Sequence, residues 1–215
     1  MLIVDHTRVR GFEEAIRGAR NSFASWDKSD SIFENDRCYK IGDADLDLLT
    51  RLVSTGCDAE SKYARYITVT CDIKAPLYWW KEMDTYKVGT VCNSTSTMHS
   101  IAKYEFTEQM FSTEHLWERS KPPFDDILYR LNEYRKGYLE ETNHKMKKEL
   151  WWQMIQLLPT SFNQLRTMQF NYQNLRNMWL QRRNHKLDEW HQFCAWLDEL
   201  PYCAALIKCE TIKER

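Results

Sequence analysis

Glycine is scarce in this sequence, and its scarcity excludes several chemistries at once. Six glycines in 215 residues leave no Gly-rich loop to cradle a phosphate and too few tight turns for an all-β architecture. Long apolar runs are also missing: nothing approaches the roughly 18 residues of a membrane-spanning helix, and residues 1–10 hold no extended apolar stretch of the secretory kind. The formal net charge of -1 provides no global field to recruit nucleic acid or an acidic membrane. No C-x-x-C pair occurs among the seven cysteines. Their number is odd, and Cys71 falls on the apolar side of a predicted strand, so reduced thiols in a cytoplasm fit better than a disulfide framework. His185 and His191 are six residues apart, off a common helical face, and no metal site is expected. Nucleophile elbow, phosphate loop and Rossmann fingerprint are all absent.

What the sequence does have is tryptophan, nine of them, in an otherwise ordinary balance of 43% hydrophobic and 28% charged residues. That composition suits a single globular domain over residues 1–215, with a charged tail at 206–215 expected to fray. Residues 66–73 alternate: Ile67, Val69, Cys71 and Ile73 face one way, and Tyr66, Thr68, Thr70 and Asp72 the other, which predicts a half-buried strand. Pro76 lacks a backbone N–H, ends that ladder and can open a helix, along which Leu77, Trp80 and Met83 recur. Gly89 and a small polar run, Asn93 to Thr97, follow. Residues 1–4 suit a short strand and 24–39 a loop. Helices are predicted over 12–23, 45–55 with Gly56 as its C-terminal cap, 124–141 after a break at Lys121-Pro122-Pro123, and 145–158 before Pro159. Thr160-Ser161 then offers an N-cap to a long helix over 162–183, with Leu165, Met168, Tyr172, Leu175 and Trp179 as its buried stripe. A last helix over 187–200 turns Trp190, Phe193, Cys194 and Leu197 inward. The sum is α+β with a helical majority.

The polar stretch after the central strand and helix suits a ligand platform and equally an ordinary α/β connection. Glu114, His115 and Glu118 could form a small acid–base cluster, but with no second partner group in reach along the sequence they read as a solvated helix face. Ser94 and Ser96 can cap a turn, Lys81 and Glu82 can form a surface pair, and Arg182-Arg183 can be a solvated helix end. A nucleic-acid-binding role for the basic long helix is disfavoured by the neutral overall charge.

Taken in order, the landmarks resemble the flavin-dependent thymidylate synthases, the ThyX family. Ala19-Arg20-Asn21-Ser22-Phe23 resembles that family's A-R-V-S-[FY], and residues 48–56 (LLTRLVSTG) its L-L-x-x-L-x-x-x-G helix. Lys74-Ala75-Pro76-Leu77-Tyr78 resembles K-x-P-[IL]-[FY]. In the signature that follows, Lys81-Glu82 stand at R-Q and Thr85-Tyr86-Lys87 at R-H-R. Thr90 stands at the first serine, and Asn93, Ser94 and Ser96 at N, E and S, one insertion allowed; Met98-His99 replace R-Y. Leu158-Pro159, Asn174-Leu175-Arg176 and, with a two-residue deletion, Arg183 and Trp190 match later landmarks. Cys57 takes the place of the family's histidine, Lys62-Tyr63 that of its E-H, and Ile155 that of a phosphate-binding arginine.

The resemblance implies a ThyX-like fold, helix-rich with a small central antiparallel or mixed sheet, and a homotetramer. It implies FAD as cofactor, NADPH and methylenetetrahydrofolate as co-substrates, and reductive methylation of dUMP to dTMP as the reaction. By that resemblance Lys81, Glu82, Lys87, Thr90, Asn93, Asn174 and Arg176 hold the cofactor. Ser94, Ser96 and Arg183 hold the nucleotide, with Arg183 also polarising the uracil carbonyl. Lys87 in place of an arginine keeps the charge and loses the bidentate fork, and Arg65, Lys81 and Arg182 are candidates to replace the missing cations. The alternative is a homologue that keeps the fold, has lost thymidylate synthesis, and binds another nucleotide or serves as a binding or interaction protein.

Overall fold

The computed structural model describes residues 1–34 and 37–210. In chain order the elements are β1 (Ile3–Arg10), α1 (Phe12–Arg20), β2 (Ile32–Glu34), β3 (Arg37–Lys40), α2 (Asp43–Ser54), β4 (Thr68–Pro76), α3 (Leu77–Met83), β5 (Val91–Ser94), α4 (Thr97–Ser100), α5 (Lys121–Glu140), α6 (His144–Leu157), β6 (Asn163–Asn171), α7 (Tyr172–Arg182), α8 (Asp188–Trp196) and α9 (Cys203–Leu206). Four strands form an antiparallel sheet in the order β1-β4-β6-β5, and β2 and β3 form an antiparallel hairpin. The α+β class is as expected, with a small sheet among many helices. None of the described helices is long and apolar enough to cross a membrane.

The chain divides into two compact units. One comprises Val4–Ile73, Tyr86–Cys92 and Thr167–Arg215; the other Met1–Ile3, Lys74–Thr85 and Asn93–Arg166. In the first unit, the alternation that begins at Ile67 and continues along β4 buries Ile67, Val69, Cys71 and Ile73 almost completely. Helix α8 supplies Trp190, Phe193 and Cys194 to the same unit's core, and Phe193 packs edge-on against Phe170 of β6 at 6.1 Å and Trp190 at 5.5 Å. Burial pushes the Cys71 thiol up to about 12, so it is a small hydrophobic side chain rather than a nucleophile. In the second unit α5 and α6 form a helical hairpin over a core of Ile101, Phe106, Phe111, Phe124, Leu131 and Met154. Asn132 locks that core to its loop by exchanging two 2.9 Å hydrogen bonds with the backbone of Phe106.

Four expectations are corrected. Residues 163–171 are a strand, not the first half of a long helix: Met168 and Phe170 point inward while Thr167 and Gln169 are exposed. The helix starts where Asn171 accepts from the Asn174 N–H and Asn174 accepts from the Asn171 N–H, a reciprocal capping box. The cap at Thr160-Ser161 is therefore not used, and Leu165 is exposed rather than part of a buried stripe. Lys121-Pro122-Pro123 is not a break but the first turn of α5, where proline's missing N–H costs nothing. The tail does not fray from its start: Leu206 and Ile207 are buried, and Lys208 pairs with Asp198 at 2.7 Å. Residues 211–215 of that tail lie outside the described residues. Within the expected loop at 24–39, the β2–β3 hairpin was also unforeseen.

A buried ion pair ties α1 to α2. Arg20 is 5% exposed and Asp45 0%, and their Nε–Oδ1 distance is 2.6 Å. The other carboxylate oxygen accepts from the hydroxyls of Ser29 (2.8 Å) and Ser31 (2.6 Å) and from the N–H groups of Asp30 and Ser31. Burial opposes ionisation of Asp45, yet these serines and Arg20 outweigh it and hold its carboxyl below the ordinary 3.8. A lowered folded-state value means the stabilisation is present above the unfolded value and is lost as pH falls. Asp45→Asn strands a buried guanidinium, so urea unfolding is expected to show a loss of about 3–5 kcal/mol at pH 7. The same variant is expected to show a flatter decline of stability than the parent as pH drops below 3.8.

Candidate functional site

Three separated stretches of the first unit meet around one cleft of about 820 Å³. The end of α1 and its following turn bring Gly18, Ala19, Asn21, Ser22 and Phe23. Helix α2 brings Leu48 and Leu52, and the segment after it brings Ala59, Glu60, Lys62, Tyr63, Arg65 and Tyr66. The positioning is local and physical. Gly56 takes a left-handed φ of 71° just beyond α2, which reverses the chain as a C-terminal glycine can. Residues Ser61–Arg65 then form a tight helical turn. Tyr63 is buried, donates its hydroxyl to the Leu49 carbonyl at 2.6 Å, and its phenol is pushed well up by burial. Arg65 donates to the Gln173 side chain, and Gln173 in turn donates to Asp58 at 2.9 Å, which pins the segment to α7. The cleft therefore combines hydroxyl and amide groups, the cations Lys62 and Arg65, and exposed rings at Phe23 and Tyr66.

The residues carried over from the resemblance fall in separate places. In the first unit, Lys87 and Thr90 lie in a turn fastened to α7. The Asn174 amide donates to the Val88 carbonyl at 2.9 Å, and Thr90 donates to the Tyr86 carbonyl at 2.6 Å. Gly89 has φ 74°, and a Cβ there would come within 3.0 Å of the Asn171 side-chain nitrogen. Tyr86, at the histidine position of the signature, donates to Gln181 (2.8 Å) and accepts from Arg182 Nε (2.9 Å). Arg182 lies over the Tyr86 and Trp190 rings, at 5.5 Å and 5.0 Å. So the structure brings Lys87, Thr90 and Asn174 together. Arg176 does not join them: it is buried and donates to the carbonyls of Ile207 (3.1 Å) and Cys209 (2.5 Å). Arg183 caps α7, exposed, with its guanidinium 4.5 Å from the Trp179 ring centre.

In the second unit, Lys81 and Glu82 sit in the last turn of α3, Lys81 exposed and Glu82 partly so. Asn93 and Ser94 are exposed on β5, and the chain there is held by the Thr95 N–H on the Leu165 carbonyl and by Gln164 on the Thr95 carbonyl, at 2.9 Å and 2.8 Å. Ser96 caps α4, accepting from the His99 N–H. Nearby in that unit Arg166 pairs with Asp84 at 2.6 Å and lies over the Trp80 ring at 4.2 Å. Glu114 is not on a helix but is paired with the terminal ammonium of Met1.

Apart from Arg65, a candidate replacement cation, the residues of the cleft were given no role by the sequence. Ser22 and Lys62 were visible only as a matched motif and a substituted one, and nothing in their spacing joined them across 40 positions.

No family model matches the sequence, and no curated protein matches it. Solved structures do. One is the flavin dependent thymidylate synthase ThyX from Helicobacter pylori complexed with FAD and dUMP, with a TM-score of 0.66, 18% identity, and coverage of 98% of this chain and 99% of that one. A second structure of Helicobacter pylori ThyX with FAD and dUMP gives a TM-score of 0.68, 17% identity, and coverage of 97% and 99%. This chain thus has the ThyX-like fold along nearly its whole length.

Gly89→Ala tests the turn that carries Lys87 and Thr90. A left-handed φ and a crowded Cβ act together, so chemical denaturation is expected to show a loss of about 1–2 kcal/mol; an unchanged midpoint would mean that the turn relaxes freely.

Proposed function

We propose that this chain is a flavoprotein acting on a pyrimidine nucleotide, in its standard form converting dUMP to dTMP with methylenetetrahydrofolate and NADPH. The observation that carries this reading is the cleft. Two stretches that resemble ThyX motifs and a third that departs from one, far apart in sequence, line one cavity with hydroxyl groups, two cations, one carboxylate and aromatic rings. That donor set fits a group with a flat ring system and phosphates. Lys62 and Arg65 would offset phosphate charge, Asn21 and Ser22 would hydrogen-bond ring edges, and the apolar walls at Leu48 and Leu52 would exclude water. FAD, when bound, supplies the hydride-transfer chemistry.

The remaining roles belong to the chain itself. Lys87 and Thr90, on their fixed turn, would hold a further phosphate or ribose group, with Asn174 positioning that turn. Lys81, Glu82 and Asn93 would serve the cofactor, and Ser94 and Ser96 the nucleotide. Arg183 would hold the uracil carbonyl and stabilise negative charge developing on its oxygen. Arg176 fits a positioning role better than a ligand role, because its guanidinium is spent on the C-terminal carbonyls. The same reading makes the chain one functional domain, assembled as a homotetramer in the cytoplasm.

A second reading is favoured by Tyr86. It occupies the centre of the altered signature and packs onto α7 through Gln181 and Arg182, which suits a homologue that binds a nucleotide without methylating it. Two measurements separate the readings. Adding FAD to the purified chain is expected to give a protein-bound flavin absorbance band, and Lys62→Ala with Arg65→Ala together to weaken that binding by about tenfold or more. Tritium release from labelled dUMP with folate and NADPH is then expected of the first reading. Flavin retention without release would favour the second, and a chain that takes up no flavin would overturn the first.

A further inference from the structure

A second cavity, of about 540 Å³, borders Asn21 within the same unit. Its walls include Glu13, Arg17 and Arg20 from α1, with Trp26, Ser29 and Phe33 from the segment that follows. Asn21 is the one residue that lines both cavities.

This cavity is built rather than incidental. Arg20 is 5% exposed and is fixed in direction, with Nε on Asp45 and Nη1 on the Ser25 carbonyl at 3.2 Å. The loop that forms the opposite wall is held by the Asp45 carboxylate through Ser29, Asp30 and Ser31. Trp26 is 52% exposed, yet its indole N–H is tied to the Asn21 side chain at 2.9 Å. The backbone turns into this wall through Ala24 at a left-handed φ of 46°, a conformation that a non-glycine residue adopts only when its surroundings impose it. An exposed ring beside a buried arginine fixed in direction is a preorganised surface, which lowers the cost of ordering on binding.

We propose that this cavity is a second ligand site, for an amino-substituted heteroaromatic ring that carries an anionic group. Each part of the ligand follows from a wall. Arg17 and Arg20 call for an anion. Trp26 and Phe33 offer faces to a flat ring. The carboxylate of Glu13 can only accept when ionised, so the ring edge that meets it must donate, as an exocyclic amine does. This site goes beyond the flavin reading and does not depend on it.

Isothermal titration of the full chain tests the proposal, with AMP as the probe. Adenosine keeps the ring, inorganic phosphate keeps the anion, and IMP carries an oxygen in place of the amine. AMP is expected to bind saturably, about tenfold or more tighter than adenosine or phosphate alone and several-fold tighter than IMP. Arg17→Ala and Trp26→Ala change exposed side chains and leave the Arg20–Asp45 pair intact, so both are expected to fold, with unchanged circular dichroism. Each is expected to weaken AMP binding about fivefold or more, while Lys62→Ala in the neighbouring cleft leaves it unchanged. The proposal is overturned if AMP shows no saturable binding, if phosphate or IMP binds as tightly as AMP, or if Lys62→Ala abolishes binding that Arg17→Ala and Trp26→Ala leave untouched.

Discussion

The contact between Arg20 and Asp45 is the constraint on which the first unit's surface depends. A buried carboxylate without partners would be far too costly to keep charged. Here Asp45 accepts from a guanidinium, two hydroxyls and two backbone N–H groups, so its lone pairs are occupied on every side. The acceptors and donors also run the other way: Asp30 accepts from the N–H groups of Ala44 and Asp45, at 2.9 Å and 3.0 Å, and so satisfies the start of α2. One carboxylate thereby fixes the end of α1, the loop at 29–31 and the beginning of α2 relative to each other. The smaller cavity is walled by the end of α1 and this loop, and the larger cleft by the end of α1 and later residues of α2, so both rest on segments that this charge pair joins.

How far this could be read from the sequence varied with the kind of order involved. The β4 strand was legible because its alternation is clean and its apolar side carries β-branched residues, and Gly56 was legible because a reversal after an apolar helix favours a residue free to take positive φ. Residues 163–171 were not, because Leu165, Met168, Tyr172 and Leu175 happen to fall at helical spacing. The strand's own period is carried by only Met168 and Phe170, and the polar Asn163 and Gln164 are buried at its start. There the local pattern was ambiguous and tertiary pairing decided it. The hairpin at β2 and β3 had no apolar alternation to announce it.

The site divides in the same way. The motif Ala19 to Phe23 was readable as a motif, but the cleft it lines was not, since joining Ser22 to Lys62 requires the C-terminal turn of α2 and the fold around it. Arg20 read as one letter of a motif, and nothing in a sequence distinguishes an arginine that meets solvent from one whose fork is buried against an aspartate 25 positions later. Arg176 shows the converse. The resemblance gives it a cofactor contact, and what no sequence pattern announces is that it also donates to the carbonyls of Ile207 and Cys209, holding the segment that looked like a free tail.

The surroundings of Tyr86 show a similar dependence on contacts distant in sequence. At the position of a signature histidine, Tyr86 offers no positive charge, but its hydroxyl accepts from Arg182 while the guanidinium lies over its ring and that of Trp190. A cation is therefore present beside this position, delivered from α7 instead of from the signature itself, and held by two rings and a hydrogen bond. The residue that Arg182 leans on is also the one whose backbone carbonyl accepts from Thr90, so the turn bearing Lys87 and Thr90 is positioned by the same residue that positions the cation. The surface beside this turn is therefore cationic through Arg182, a residue of α7.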